Sequence, residues 1–143
     1  MVSDIELDGW ALNGPDGLVY VLYRDGRLFR WQPQSNQLVL TARLPPLPSW
    51  AGPHVEMVLG ASGRLIVGRC AESDPQTCGL FVFEPGRSEP IELGNPVPGH
   101  CYLTALTVAA DDTIYGLSTD YVYGLAGTPI HLYSLRVVLS SRR

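Results

Sequence analysis

Short apolar runs separated by turn residues make up most of the chain. In the first third, the apolar runs Leu18–Tyr23 and Leu28–Trp31 are separated by a polar segment that contains Asp25 and Gly26. An Asp-Gly pair between two apolar runs is a strong signal for a β-hairpin. The pattern therefore predicts antiparallel strands joined by tight turns, not helices.

The same pattern occurs three times. Leu28, Leu80 and Leu132 are spaced 52 residues apart, and each opens a similar strand-like phrase. The predicted strands cover residues 10–12, 18–23, 28–31 and 38–42, then 55–59, 65–68, 80–83 and 91–93, then 103–108, 114–117 and 130–133. Residues 136–139 form either a short fourth strand or a continuation of the third. A fixed period of this length predicts one domain of three repeat units, at about 7–44, 54–94 and 101–140.

A single four-stranded unit cannot bury both of its faces, so it has to stack on further copies. A four-stranded antiparallel unit connected to the next inner strand is the blade of a β-propeller. An aromatic residue stands in the third strand of each unit, as Phe29, Phe81 and Tyr133. We expect these three side chains to pack between neighbouring blades.

Two phrases resemble the blade repeats of kelch-like and lactonase- or lyase-like bacterial propellers. They are Gly79–Pro85 followed by Ile91–Gly94, and Ala105–Val108 followed by Asp112–Gly116. The turns depart from that pattern, since Ser62-Gly63 and Asp112-Thr113 stand where Asp-Gly is usual. The resemblance implies a propeller fold. Such propellers include hydrolases, lyases, lectins and scaffolds, so the resemblance leaves the function open.

Three units are too few for one ring, because propellers have 4–8 blades. Bare terminal blades would expose large apolar faces, which usually mark an interface. We therefore expect an all-β fold of three four-stranded antiparallel propeller-type blades, forming half of a six-bladed β-propeller. A homodimer would complete the ring. A heteromeric partner that supplies further blades, or a longer parent chain, would meet the same need.

Composition narrows the partners. The 143 residues carry a net charge of −4, and all ten cationic residues are arginine, without a basic stripe. A nucleic-acid partner is not expected, because phosphate binding needs clustered cations. No apolar stretch approaches 18 residues, so no membrane span is expected. Met1–Asp8 does not resemble a signal peptide. The sequence thus predicts a cytoplasmic protein, with a mature secreted or periplasmic chain lacking its signal as the alternative.

Three cysteines are present, and an odd number cannot all pair within one chain. Cys70 and Cys78 flank a predicted loop and could form a disulfide across a hairpin in an oxidising compartment. Two free thiols are the interpretation that the sequence favours. With Cys101 the chain contains no Cys-x-x-Cys pair, so no metal site is predicted. No cofactor motif is present either.

Candidate ligand-binding residues lie where the predicted inner strands begin. Trp50, His54, Glu56, His100 and Tyr102 would line the mouth of a central channel. His54 and Glu56 are spaced so that both side chains leave the same face of a strand. Histidines at such junctions are more often hydrogen-bonded surface or channel residues than ligands or bases.

The function predicted is a non-enzymatic propeller module that binds or scaffolds other molecules. Two alternatives stay open. A lectin-like propeller would bind a glycan or another small molecule through exposed aromatic residues. A lyase- or lactonase-like enzyme would use His54, Glu56 and His100 at the channel mouth.

Overall fold

The structure, a computed structural model, describes residues 9–14, 17–46, 53–71, 74–100, 102–119 and 130–137. These residues form eleven β-strands and no helix. The strands are β1 Gly9–Asn13, β2 Val19–Tyr23, β3 Arg27–Gln32, β4 Gln37–Arg43, β5 Pro53–Leu59, β6 Leu65–Ala71, β7 Asp74–Phe83, β8 Ile91–Gly94, β9 Tyr102–Val108, β10 Ile114–Thr119 and β11 Ile130–Leu135. The prediction of an all-β fold is confirmed. Across the described ranges, no helix has the length and apolar character needed to cross a membrane.

The strands form three antiparallel sheets in chain order. Sheet 1 contains β1 to β4, sheet 2 contains β5 to β8, and sheet 3 contains β9 to β11. The predicted division into three antiparallel sheets is confirmed. Sheet 3 has three strands within the described residues, because the chain leaves the sheet at Arg136 and Val137. The rest of the predicted last strand, from residue 138, lies outside the described residues.

Turn chemistry explains why the hairpins close where they do. Gly26 has φ 92°, a left-handed conformation that favours glycine. Its N–H donates to the carbonyl of Tyr23 at 2.9 Å. A Cβ at this position would lie 2.3 Å from the backbone oxygen of Leu44, so a side chain has no room. The Asp25-Gly26 pair thus ends β2 and starts β3, as the sequence predicts.

The hairpin of β6 and β7 is longer than the sequence predicts. The polar residues that follow Cys70 indicated a loop, but β7 already begins at Asp74. The Thr77 hydroxyl accepts from the N–H of Ala71 at 2.8 Å and donates to the carbonyl of Asp74 at 2.7 Å. This side chain replaces part of the backbone ladder at the irregular end of the hairpin. The prediction missed it because it depends on one side chain, not on an apolar pattern.

Sheet 2 lies between the other two sheets. Every residue of β6 is buried. One core cluster joins sheets 1 and 2, including Leu22 and Leu28 on one side and Val67 and Phe81 on the other. Two further clusters join sheets 2 and 3. The first strands also contact one another, since β5 packs beside both β1 and β9. Each terminal sheet therefore has one covered face and one outer face.

Candidate functional site

The outer face of sheet 3 is apolar and exposed. We define this face by side chains that point away from sheet 2: the apolar or aromatic Ala105, Tyr115, Leu117, Ile130 and Leu132, with the polar Thr107 and Ser134 beside them. Leu132 is 73% exposed and Ile130 67%. A shallow groove of about 260 Å³ runs beside Leu132 and Tyr115. Exposed apolar side chains that lie next to one another on one face usually mark an interaction surface.

The outer face of sheet 1 is apolar as well. We define it by two cross-strand rows, Val19, Trp31 and Leu38 in one and Val21, Phe29 and Leu40 in the other. Leu38 and Leu40 are 40% and 42% exposed. The Phe29 ring meets the Tyr23 ring edge-on at 5.1 Å, which holds it in place. The Trp31 indole N–H donates to the Oδ1 atom of Asn36 at 3.2 Å.

Equivalent residues of the three repeats allow the two outer faces to be compared with the faces that are buried between sheets. Leu28 and Leu80 are both 0% exposed, whereas Leu132, the third leucine of the 52-residue series, is 73% exposed. Leu28 packs against sheet 2, and Leu80 packs against Leu103 and Tyr133 of sheet 3. Each buried leucine thus faces the sheet that follows it in the chain. For Leu132, the described residues supply no following sheet.

The aromatic residues Phe29, Phe81 and Tyr133 point in the opposite direction from the three leucines. Phe81 packs towards sheet 1 and Tyr133 packs towards sheet 2, so each faces the preceding sheet. Both pack between sheets, as the sequence predicts. Phe29 lies on the outer face of sheet 1, where a preceding sheet would have to come from outside the described residues. The outer face of sheet 3 thus carries a leucine, and the outer face of sheet 1 an aromatic residue, at the positions that pack between sheets inside the chain.

The predicted channel residues do not form one described cluster. Trp50 lies outside the described residues. For His54 and Tyr102 only the backbone is described, with His54 opposite Cys70 and Tyr102 opposite Thr119. Glu56, on β5, lies opposite Gly68 of β6 and is half-buried.

His100 takes part in a small polar cluster at the edge of sheet 3. Its Nδ1 atom lies 2.7 Å from the Oγ atom of Ser118. The His131 ring meets the His100 ring edge-on, with 4.6 Å between ring centroids. Asn95 holds the backbone of His100 by donating to its carbonyl at 2.9 Å. The sequence did not predict Ser118 or His131, because their meeting depends on the β10–β11 register that pairs them.

This cluster suits a structural role. Ser118 is fully buried, so an external substrate does not reach its hydroxyl. Within the part of the chain that the structure describes, no three His, Cys, Asp or Glu side chains come close enough to hold a metal ion. The Ser118–His100 hydrogen bond anchors the linker between sheets 2 and 3 to β10.

Cys70 and Cys78 form a disulfide in the structure. Their sulfur atoms are 2.12 Å apart and their Cα atoms 4.0 Å apart. The sequence favoured two free thiols, as small strand residues, and left this disulfide as the alternative. The irregular end of the β6–β7 hairpin brings the two buried side chains together instead.

Comparison with protein-family models, curated proteins and solved structures finds no match to this chain.

Proposed function

We propose that this protein is a non-enzymatic binding or scaffold module that self-associates head to tail. In this proposal, the outer face of sheet 3 in one copy packs against the outer face of sheet 1 in another. Two copies then close a propeller-like ring of six blades. The observation that carries the proposal is the leucine series, in which Leu28 and Leu80 are fully buried by the next sheet and Leu132 is 73% exposed.

The internal contacts serve as the template for the contact between copies. Sheet 1 meets sheet 2, and sheet 2 meets sheet 3, through a leucine that faces forwards and an aromatic residue that faces backwards. Sheet 3 still offers Leu132 forwards, and sheet 1 still offers Phe29 backwards. Two different faces that complement each other make a heterologous contact, which closes into a ring when the rotation allows it. Six blades fall within the range that propellers use.

The apolar character of both faces supplies the driving force. Burying a leucine or isoleucine side chain stabilises an assembly by about 1.5–3 kcal/mol. Ile130 and Leu132 on one face, with Leu38 and Leu40 on the other, are all at least 40% exposed in the single chain. A ring of two copies buries each of these side chains.

The mass of the protein in solution tests the proposal. Light scattering coupled to size-exclusion chromatography should give twice the 15.6 kDa of one chain at micromolar concentration. A mass of one chain at every concentration up to the solubility limit would rule out self-association. A larger open-ended series of masses would show the same contact without ring closure.

A further inference from the structure

A buried arginine lies beside a cleft at the end of sheet 2. Arg69 is on β6, and its side chain is only 4% exposed. The cleft has a volume of about 280 Å³ and lies between the linker that follows sheet 1 and the β6–β7 hairpin. Pro45, Pro46 and Phe81 supply apolar walls, and Glu92 lies at its exposed side. A concave site with apolar walls and one buried charge is typical of a binding site for a small molecule.

The guanidinium of Arg69 is only partly satisfied by the protein. Its Nη2 atom donates to the backbone carbonyl of Pro45. Its Cζ atom lies 5.0 Å from the centroid of the Phe81 ring, a cation–π contact. Its Nε atom is buried and has no acceptor among the described residues. A buried donor without an acceptor is costly, and more so when it carries charge.

Among the described residues, none forms an ion pair with Arg69. The ion pairs of Arg27 and Arg64 lie elsewhere in the fold. Burial lowers the pKa of Arg69 to about 10, with the more distant Glu92 acting in the opposite direction. The guanidinium therefore stays protonated at neutral pH. Buried charges in proteins are usually paired, so an anion in the cleft would supply a partner that the described residues do not.

We propose that this cleft binds a small organic carboxylate. The carboxylate pairs with the guanidinium of Arg69, whose planar fork matches its two oxygens. The apolar body of the ligand packs against Pro45, Pro46 and Phe81. The cleft is slightly smaller than the roughly 300 Å³ at which ligand pockets usually begin. That size, the Glu92 carboxylate and the net charge of −4 favour a small monoanion over a phosphate ester.

Titration calorimetry with sodium benzoate tests this site, with benzamide as the neutral analogue of the same shape. We expect saturable benzoate binding with a Kd on the order of 1 mM, as suits a ligand of this size. Benzamide should bind at least about tenfold more weakly, because it cannot form the charge-assisted pair. Equal affinity for the two compounds, no saturable binding, or tighter binding of inorganic phosphate would each overturn the proposal.

Three variants locate the site. Arg69→Lys keeps the charge but loses the planar fork, so benzoate affinity should fall about tenfold. Glu92→Gln removes a repelling charge from an exposed position, so benzoate affinity should rise about twofold or more. Arg87→Gln changes an exposed arginine in the connection between β7 and β8, outside the cleft, and should leave the affinity unchanged. If Arg69→Lys does not fold, Glu92→Gln decides the question, and an unchanged affinity in that variant would contradict the site. Neither result depends on self-association.

Discussion

At the scale of single residues, Tyr133 shows what close packing of two sheets requires. Its ring lies over Gly116, where an added Cβ would be 2.1 Å from the phenol. The Tyr133 hydroxyl is buried and has no hydrogen-bond partner among the described residues. Gly116 therefore makes room for the ring, while the hydroxyl is buried at a cost in free energy.

Removing that hydroxyl should stabilise the protein. In Tyr133→Phe we expect the free energy of unfolding to rise by about 1 kcal/mol, because an unpaired polar group leaves the core. Tyr115→Phe is the matched control when both variants are measured at a concentration where the chain is monomeric, since Tyr115 is 40% exposed in the single chain and should show almost no change there. Urea unfolding followed by circular dichroism measures both. A loss of stability in Tyr133→Phe would show that the hydroxyl has a partner after all.

The same residue predicts how stability depends on alkaline pH. Burial raises the pKa of Tyr133 from its ordinary value of 10.0 to about 12. Between these values the unfolded chain has lost the phenol proton and the folded chain still holds it. The stability associated with the neutral phenol is thus complete below pH 10 and is lost as pH rises towards 12. Urea unfolding at several pH values should show this loss in the wild type and less of it in Tyr133→Phe; equal slopes in both would contradict the assignment.

At the scale of elements, the β6–β7 hairpin combines a disulfide with an irregular end. The bond between Cys70 and Cys78 closes a loop with a sequence separation of 8. Both residues are buried at the contact between sheets 2 and 3. The disulfide therefore lies within the core between sheets 2 and 3, where it cross-links the β6–β7 hairpin.

Reducing this bond should destabilise the fold. The loop-closure relation gives about 2.5 kcal/mol for a loop of this length. Urea unfolding with and without reductant should show a loss of this order in the wild type. The double variant Cys70→Ser, Cys78→Ser is the control, since reductant should not change its stability. An unchanged wild-type midpoint in reductant would mean that the bond does not form in solution.

At the scale of the whole molecule, the two outer faces determine how copies would meet. Leu132→Arg places a charge on the outer face of sheet 3, and Leu40→Arg places one on the outer face of sheet 1. If the contact is head to tail, each variant should weaken the dimer by at least about a hundredfold, because an arginine becomes buried without a partner. Sedimentation velocity measures the dissociation constants.

The control and the mixture distinguish head-to-tail from symmetric pairing. Val39→Arg changes the residue next to Leu40 in the sequence. Val39 is similarly exposed, at 45%, but its side chain points to the opposite side of β4. We expect it to remain dimeric. A mixture of Leu132→Arg and Leu40→Arg should partly recover association, because one unmodified pair of faces remains. If Leu40→Arg alone stays dimeric, the copies meet through sheet 3 on sheet 3, and the head-to-tail proposal is wrong.

From the sequence alone, the strands and their grouping could be predicted well. The Asp25-Gly26 turn and the apolar strand that begins at Leu65 could be predicted, because turn and strand preferences depend on residues that are adjacent in the sequence. The 52-residue spacing added the three-sheet division, since equal spacing implies equal units. The strand residues near Thr77 were missed, because the hairpin end there depends on hydrogen bonds of the Thr77 hydroxyl and not on an apolar pattern.

The candidate sites depended on tertiary structure. Ser118 and His131 meet His100 only through strand register and the course of a linker. Arg69 is one of ten arginines in the sequence, and nothing local marks it as the buried one. Strand formation depends on short-range turn chemistry and apolar alternation, which can be read along the chain. Burial, pairing and the exposure of Leu132 depend on which sheet covers which face, and that follows only from packing residues far apart in the sequence.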